Sequence, residues 1–407
     1  MIQNINRCTP QPECFESDLR ETTLKALQIV LDFPPSSVGG IEVHVCHLAE
    51  ELSKLGIECT VIHGGATKSL TGHKEKRKAR REWPGQTFRV EEVTSLNLLG
   101  KSSCFMPSLP YCIRDKKPDI IHAHGYWNLY AIEAGLMGFL SKVPRILTVH
   151  GIGDYRSMSN LGKKTVLFTY DKTLGRASLS LYSRFIAVSN DVKRDVIARG
   201  VSAQKVAVIP NGVELDDYAR KPAEVSNHNC PIIMCCGRLD ESKGYQFMIK
   251  AMPLIIKRVG RIKLVLIGAD VGYRKHLSKL VRDLHLGSHV EFAGYIPKEE
   301  KIRILQSATV VVVPSLREPF GLIVLEAMAA GIPLVATKAG GIVDIVDSEN
   351  ALLVPAGDSG SLAREIIRVL TDEGLRRKLI CNAKSSVKNF NWSSVAQRTR
   401  DIYNCLA

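Results

Sequence analysis

The sequence predicts an α/β protein made of two doubly wound parallel sheets facing each other across a cleft. Three observations carry this reading. Compact apolar runs of strand length recur along the chain, each followed by a turn-rich loop and a segment of helical period. The alternation is interrupted at 213–230, which is polar and irregular and reads as a linker. The length, 407 residues, exceeds one typical core and suits two.

The elements follow in order. Residues 1–23 are polar and of mixed charge, and read as an irregular lead-in rather than a signal peptide. The first strand is the run Leu24-Lys25-Ala26-Leu27-Gln28-Ile29-Val30. Turn residues follow, ending in Gly39-Gly40, and a helix is expected from Val43, Cys46, Leu48, Ala49, Leu52 and Leu55 at helical spacing. Glu58-Cys59-Thr60-Val61-Ile62 completes a βαβ unit. Further strands are expected at 119–124, 145–149, 184–189 and 205–209, with Ser189 capping the helix that follows the third of these. The first domain therefore spans 24–212. A second series begins at Pro231, with strands at 231–236, 263–268, 290–294, 309–313 and 333–337, and forms a domain over 231–388. Residues 389–407 close the chain with a helix.

Composition narrows the class. Hydrophobic content of 45% and charged content of 24% belong to a soluble globular chain. No apolar run approaches the roughly 18 residues that span a bilayer. Eleven cysteines without a CxxC pair suit reduced thiols in a cytoplasmic protein, and no Cys/His group has structural-zinc spacing. The formal charge of +14 suits an anionic partner. Much of it clusters in Lys74-Glu75-Lys76-Arg77-Lys78-Ala79-Arg80-Arg81, beside Trp83, a stretch suited either to plain solvation or to peripheral contact with an anionic membrane at its inner face. Nucleic acid is not expected, because aromatic-interleaved basic motifs and zinc-finger spacings are missing.

Residues 314–341 are the most informative segment. Glu318 lies in a loop after a valine-rich strand, and Glu326 sits in an otherwise apolar helix that Gly331 and Pro333 end. A carboxylate among Leu325, Ala327 and Met328 is costly without hydrogen-bond donors, which ligand hydroxyls would supply. Backbone N–H groups of Gly321, Leu322 and Ile323 open that helix and suit an anion. After the strand at 231–236 come Arg238 and Lys243, five apart in a turn-rich loop, able to converge on a diphosphate; alone they would read as solvated cations. Gly39-Gly40 lies between a strand and a helix but is neither a dinucleotide fingerprint nor a P-loop. His122, His124 and His150 lie at strand ends. His122 and His124 share a face, and His124, nearer the end, is the one expected to point into the cleft.

Taken together, Glu318-Pro319-Phe320-Gly321-Leu322 with Glu326-Ala327-Met328, Gly340-Gly341, Gly237-Arg238 with Lys243-Gly244, Ile209-Pro210-Asn211-Gly212-Val213 and Gly39-Gly40-Ile41-Glu42 resemble the retaining GT-B glycosyltransferases of family 4. The resemblance covers nearly the whole chain from Leu24. It implies transfer of a hexose-type sugar from a nucleoside-diphosphate sugar, with UDP as the base carrier or else GDP or ADP, to a glycan or lipid-linked acceptor. It implies no cofactor and no metal. Arg238 and Lys243 would hold the diphosphate, Glu318 the donor sugar and Glu326 the ribose, with Gly39, Gly40, Phe320, Gly321, Leu322 and Ile323 lining the donor and His124 beside the transferred sugar. Tyr295 is a candidate for the base. His150, Tyr126 and Trp127 are candidates for the acceptor side of the cleft, and the last helix would cross back to the first domain. Two other readings compete: a non-hydrolysing nucleotide-sugar 2-epimerase, and a basic nucleotide-binding protein.

Overall fold

The structure, a computed structural model, describes residues 23–34, 39–64, 68–69, 87–97, 104–152, 161–219 and 230–407. The basic run at 74–81, Trp83 and most of the expected linker lie outside the described residues.

The chain opens with β1 (Lys25–Val30), α1 (Gly40–Lys54), β2 (Glu58–Gly64), β3 (Lys68–Ser69), β4 (Arg89–Val93), β5 (Leu96–Asn97) and β6 (Cys104–Phe105). It continues through α2 (Leu109–Lys116), β7 (Ile120–His124), α3 (Leu129–Leu140), β8 (Arg145–Val149), α4 (Leu161–Tyr170) and α5 (Arg176–Ser180). β9 (Arg184–Ala187), α6 (Asn190–Ile197), β10 (Val206–Val208) and α7 (Asp216–Ala219) follow. The second half holds β11 (Ile232–Cys236), α8 (Tyr245–Val259), β12 (Lys263–Ile267), α9 (Arg274–Asp283), β13 (Val290–Gly294) and α10 (Lys298–Ser307). It ends with β14 (Val310–Val313), α11 (Leu322–Ala330), β15 (Leu334–Thr337), β16 (Leu352–Val354), α12 (Ser359–Thr371), α13 (Glu373–Ser386) and α14 (Trp392–Asn404).

Two parallel sheets organise these elements. The first has the order β4-β2-β1-β7-β8-β9-β10 and the second β13-β12-β11-β14-β15-β16; β3, β5 and β6 make a small separate sheet. All neighbours within each large sheet run parallel. Parallel strands are covered on both faces, so they read as continuous apolar runs. β14 is four valines, all buried.

The order matters for function. In each sheet the chain winds outward from an interior strand, then returns to wind the other way. The reversal falls between β1 and β7 in the first sheet and between β11 and β14 in the second. Loops leaving the carboxyl ends of those strands diverge, which opens a crevice for a ligand. β1 leads to Gly39-Gly40 and β7 ends at His124; β11 leads to Gly237-Arg238 and β14 to Ser315 and Glu318. Gly39-Gly40, His124, Arg238 and Glu318 thus lie at the two switch points, while His150 and Gly340-Gly341 follow the neighbouring strands β8 and β15.

The last helix belongs to the first sheet's side. α14 packs on α1, Trp392 stacks on His47 with ring centroids 5.0 Å apart, and Val213 N–H donates to the Phe390 carbonyl at 2.9 Å. No helix among the described residues is long and apolar enough to cross a membrane.

Candidate active site

The second domain's part of the site is two loops locked together. Asp240 caps the short turn of 3₁₀ helix that carries Lys243, accepting from the Ser242 N–H at 2.9 Å. The Ser242 carbonyl then accepts from Leu316 N–H at 2.7 Å, tying this loop to the one that carries Glu318. Gly244 sits where they meet, at φ +70°. A Cβ there would lie 1.9 Å from the Pro314 carbonyl oxygen, so no side chain fits without separating the loops.

The docking brings Lys243 Nζ to 2.7 Å from Glu318 Oε2. Both side chains are mostly buried, at 18% and 10% exposure, and Ser315 Oγ donates to the same carboxylate oxygen at 3.2 Å. Arg238 differs. Its side chain is 70% exposed, with Asp240 3.9 Å away. Lys243 turns to Glu318, while Arg238, five residues earlier in the same loop, stands open. A buried ammonium is drawn to the nearest carboxylate, whereas a solvated guanidinium has no such need.

Glu326 also has a protein cation. Lys301 Nζ lies 2.7 Å from its Oε1. The donor that this buried carboxylate needs is thus supplied in part by the protein itself. Burial lowers the Lys301 pKa, but the Glu326 charge and hydrogen bond win and leave it raised. Lys301 is 25 sequence places from Glu326 in an ordinary amphipathic helix, and nothing in its local pattern marks it. Between the carboxylates, Gly321 at φ +101° starts α11 without a side-chain cap. Phe320 and Ile323 are buried, Leu322 is half-buried, and Tyr295 is 62% exposed.

The first domain meets this surface directly. A Cβ on Gly40, the first residue of α1, would lie 3.3 Å from Leu322 Cδ1. Gly39 precedes it in extended conformation. Ser189 Oγ caps α6, accepting from Val192 N–H, and donates to the Pro319 carbonyl at 2.6 Å. The Asn190 N–H donates to Asp344, and Arg317 pairs with Asp195. The cleft is thus bridged by hydrogen bonds at one end.

The histidines are arranged differently from expectation. His124 has no exposure, with Nε2 2.7 Å from Gln28 Oε1 and Nδ1 3.2 Å from His150 Nε2. It does not point into an open cleft, because Gln28, His122, His150 and, on α1, His44 enclose its ring. His150, one step beyond β8, is the half-buried one. Desolvation holds the cluster neutral: His44 is lowered to about 4 and His122 to about 3, and His124 and His150 lie well below the usual range. His44, His124 and His150 each offer a nitrogen within 4.8 Å of the others, a set of metal-ligand type. The hydrogen bond between His124 and His150 already occupies two of the nitrogens.

Tyr126 is corrected too. Its ring is buried and its hydroxyl donates to Asp171 Oδ1 at 2.8 Å, a carboxylate also paired with Arg199 at 2.6 Å. Burial first, then Asp171, raises its pKa. It braces the domain rather than facing an acceptor. Trp127 is half-buried against Tyr126 and Tyr170.

Similarity to known proteins agrees with this layout. Residues 38–217 match the model of Glycosyltransferase Family 4 and 218–386 that of Glycosyl transferases group 1. An uncharacterized glycosyltransferase of Methanocaldococcus jannaschii is 30% identical, over 93% of this chain and 98% of that one. The chain is a family 4 glycosyltransferase. A D-inositol 3-phosphate glycosyltransferase of Acidothermus cellulolyticus is 26% identical to this glycosyltransferase over 90% of it and 85% of the relative. Among solved structures, sucrose-phosphate synthase from Thermosynechococcus elongatus superposes with a TM-score of 0.75 at 23% identity, covering 94% and 99% of the two chains. Anabaena HepE in complex with UDP-glucose gives 0.73 at 22%, covering 94% and 100%. The fold of this glycosyltransferase is GT-B, as the resemblance implied.

Proposed function

We propose that this glycosyltransferase moves a hexose-type sugar from a nucleoside-diphosphate sugar, UDP in the first place, to a glycan or lipid-linked acceptor with retention and without a metal. The observation that carries the reading is the Lys243–Glu318 pair, mostly buried at the second sheet's switch point, with Arg238 open beside it. An arriving diphosphate competes with Glu318 for Lys243. As the ammonium turns to the phosphates, Glu318 is released to accept hydrogen bonds from sugar hydroxyls. Arg238, planar and forked, takes the phosphate oxygens from the solvent side. The backbone N–H groups at the start of α11 add a positive dipole end. Together they stabilise the charge that grows on the leaving nucleoside diphosphate, the work a metal would otherwise do. Glu326, already paired with Lys301, would accept the ribose hydroxyls. No nucleophile is assigned: the leaving phosphate takes the acceptor proton on the same face. HepE, of the same fold, was crystallised in complex with UDP-glucose, which supports the donor class. Contact with an anionic membrane through the 74–81 run remains part of the proposal, on charge alone.

The test is a thermal-shift panel of UDP-, GDP- and ADP-sugars. A donor at 100 times its Kd stabilises the folded cleft by about 2.7 kcal/mol. If no nucleotide sugar shifts the melt, the donor assignment fails.

A further inference from the structure

A row of buried polar side chains crosses the first sheet beneath α14, where an apolar face would be cheaper. Gln28 stands on β1, His122 and His124 on β7, and Thr148 on β8, each fully buried. Tyr403, near the end of α14, reaches into this row from 375 residues away. Burying this many polar groups is tolerable only if each finds a partner.

The partners form one unbroken chain. Gln28 Nε2 donates to the Tyr403 hydroxyl oxygen at 2.7 Å, so its Oε1 is the acceptor facing His124. His124 Nε2–H donates to that oxygen at 2.7 Å. The neutral His124 ring then has a bare Nδ1, which accepts from His150 Nε2–H at 3.2 Å. On the other side, Tyr403 O–H donates to His122 Nδ1 at 2.7 Å, and His122 Nε2–H donates to Thr148 Oγ1 at 2.6 Å. With the Gln28 amide in this orientation every proton has one place, and all three rings are neutral. His150 is left with Nε2 protonated and Nδ1 bare, and among the described residues its one hydrogen bond is to His124. His150 is also the member of the chain that reaches the cleft. It is half-buried, and a Cβ on the next residue, Gly151, would lie 2.5 Å from Cγ of Pro319, the neighbour of Glu318.

We infer that Tyr403 is a positioning residue that, through Gln28 and His124, locks His150 in its Nε2–H tautomer, so that His150 Nδ1 accepts a hydrogen bond from a substrate hydroxyl in the cleft. This assigns the cleft-facing role to His150, with His124 as its support, and gives the last helix a part in the site. The half of the inference that concerns a substrate hydroxyl rests on the proposed donor reading; the tautomer does not.

Two measurements test it on the full chain. Nitrogen NMR of histidine-labelled protein, with His150 assigned from His150→Phe, reads the tautomer. Wild type is expected to show His150 protonated at Nε2 alone, and Tyr403→Phe, which keeps the ring and loses the link, to show a mixture of tautomers. A wild-type His150 protonated at Nδ1, or a Tyr403→Phe spectrum unchanged at His150, overturns the inference. Calorimetry then compares UDP-glucose and UDP on wild type and His150→Phe. The variant is expected to bind UDP as before and UDP-glucose about threefold to tenfold more weakly, the worth of one hydrogen bond. Equal loss on both ligands, or none on either, overturns the substrate half. If wild type binds neither ligand, the UDP reading and the substrate half fall together, while the NMR spectra still decide the tautomer.

Discussion

Acidification from pH 7.5 to 5.5 should destabilise the first domain, and the buried imidazoles set the amount. His44 is lowered to about 4 mainly by burial, His47 to about 4 by burial, and His122 to about 3 by burial. Each stays neutral in the folded protein across this range but gains a proton on unfolding, where the pKa is about 6.5. The unfolded state therefore binds more protons, and stability falls as pH drops; the contribution is intact above about 6.5 and is lost progressively below it. Integrated over these two units, each of the three costs about 1.4 kcal/mol. His124 and His150, held well below the usual range by burial, push the same way. Glu133 opposes them. Burial raises its carboxyl to about 7, so it is protonated in the folded protein first and returns about 2 kcal/mol over the same interval. The net loss is at least about 2 kcal/mol, a large share of typical domain stability. Guanidinium unfolding read by tryptophan fluorescence suits the purpose, because Trp127 and Trp392 both pack on this domain. A midpoint that is unchanged or higher at pH 5.5 would refute the claim that these rings are buried and neutral.

Other outcomes follow from the second domain. Lys243→Met leaves Glu318 without its cation in a mostly buried site and should cost about 3 kcal/mol in denaturant unfolding, with Glu318→Leu in the same chain recovering much of it. Arg238→Ala, at a side chain 70% exposed, should leave stability within about 0.5 kcal/mol while transfer slows at least about a hundredfold; a normal kcat would remove Arg238 from the site. Gly244→Ala must push the Pro314 carbonyl aside and should cost more than about 2 kcal/mol, with nucleoside-diphosphate affinity lost together with the loop contact in calorimetry.

Much of this was legible in the chain. The all-valine β14 and the apolar runs of β1, β7, β11 and β12 announce parallel strands, because a strand covered on both faces has no polar side to display. Gly331, observed at φ +69° as the C-cap of α11, ends the helix where the sequence placed its end. The two-residue strands β3, β5 and β6 are too short to show any period, and β4 and β16 are likewise absent from the strands the sequence predicts. The sequence marks Glu326 as a carboxylate needing donors but not Lys301 as one of them, since a lysine on an amphipathic helix looks the same whether solvated or paired.

The sequence by itself determined the two-sheet architecture, the family and the places where loops leave switch-point strands. Those depend on local period and on turn chemistry, which neighbours in the chain settle. Only the tertiary structure decided which charges and rings meet. Lys243 chooses Glu318 over Arg238's side of the loop, His150 rather than His124 is left partly exposed, and Tyr403 closes a hydrogen-bond chain with Gln28. The physical reason is that a buried polar group must be satisfied by whatever the fold brings within about 3 Å. Separations of 75 and 375 residues carry no local trace of that meeting.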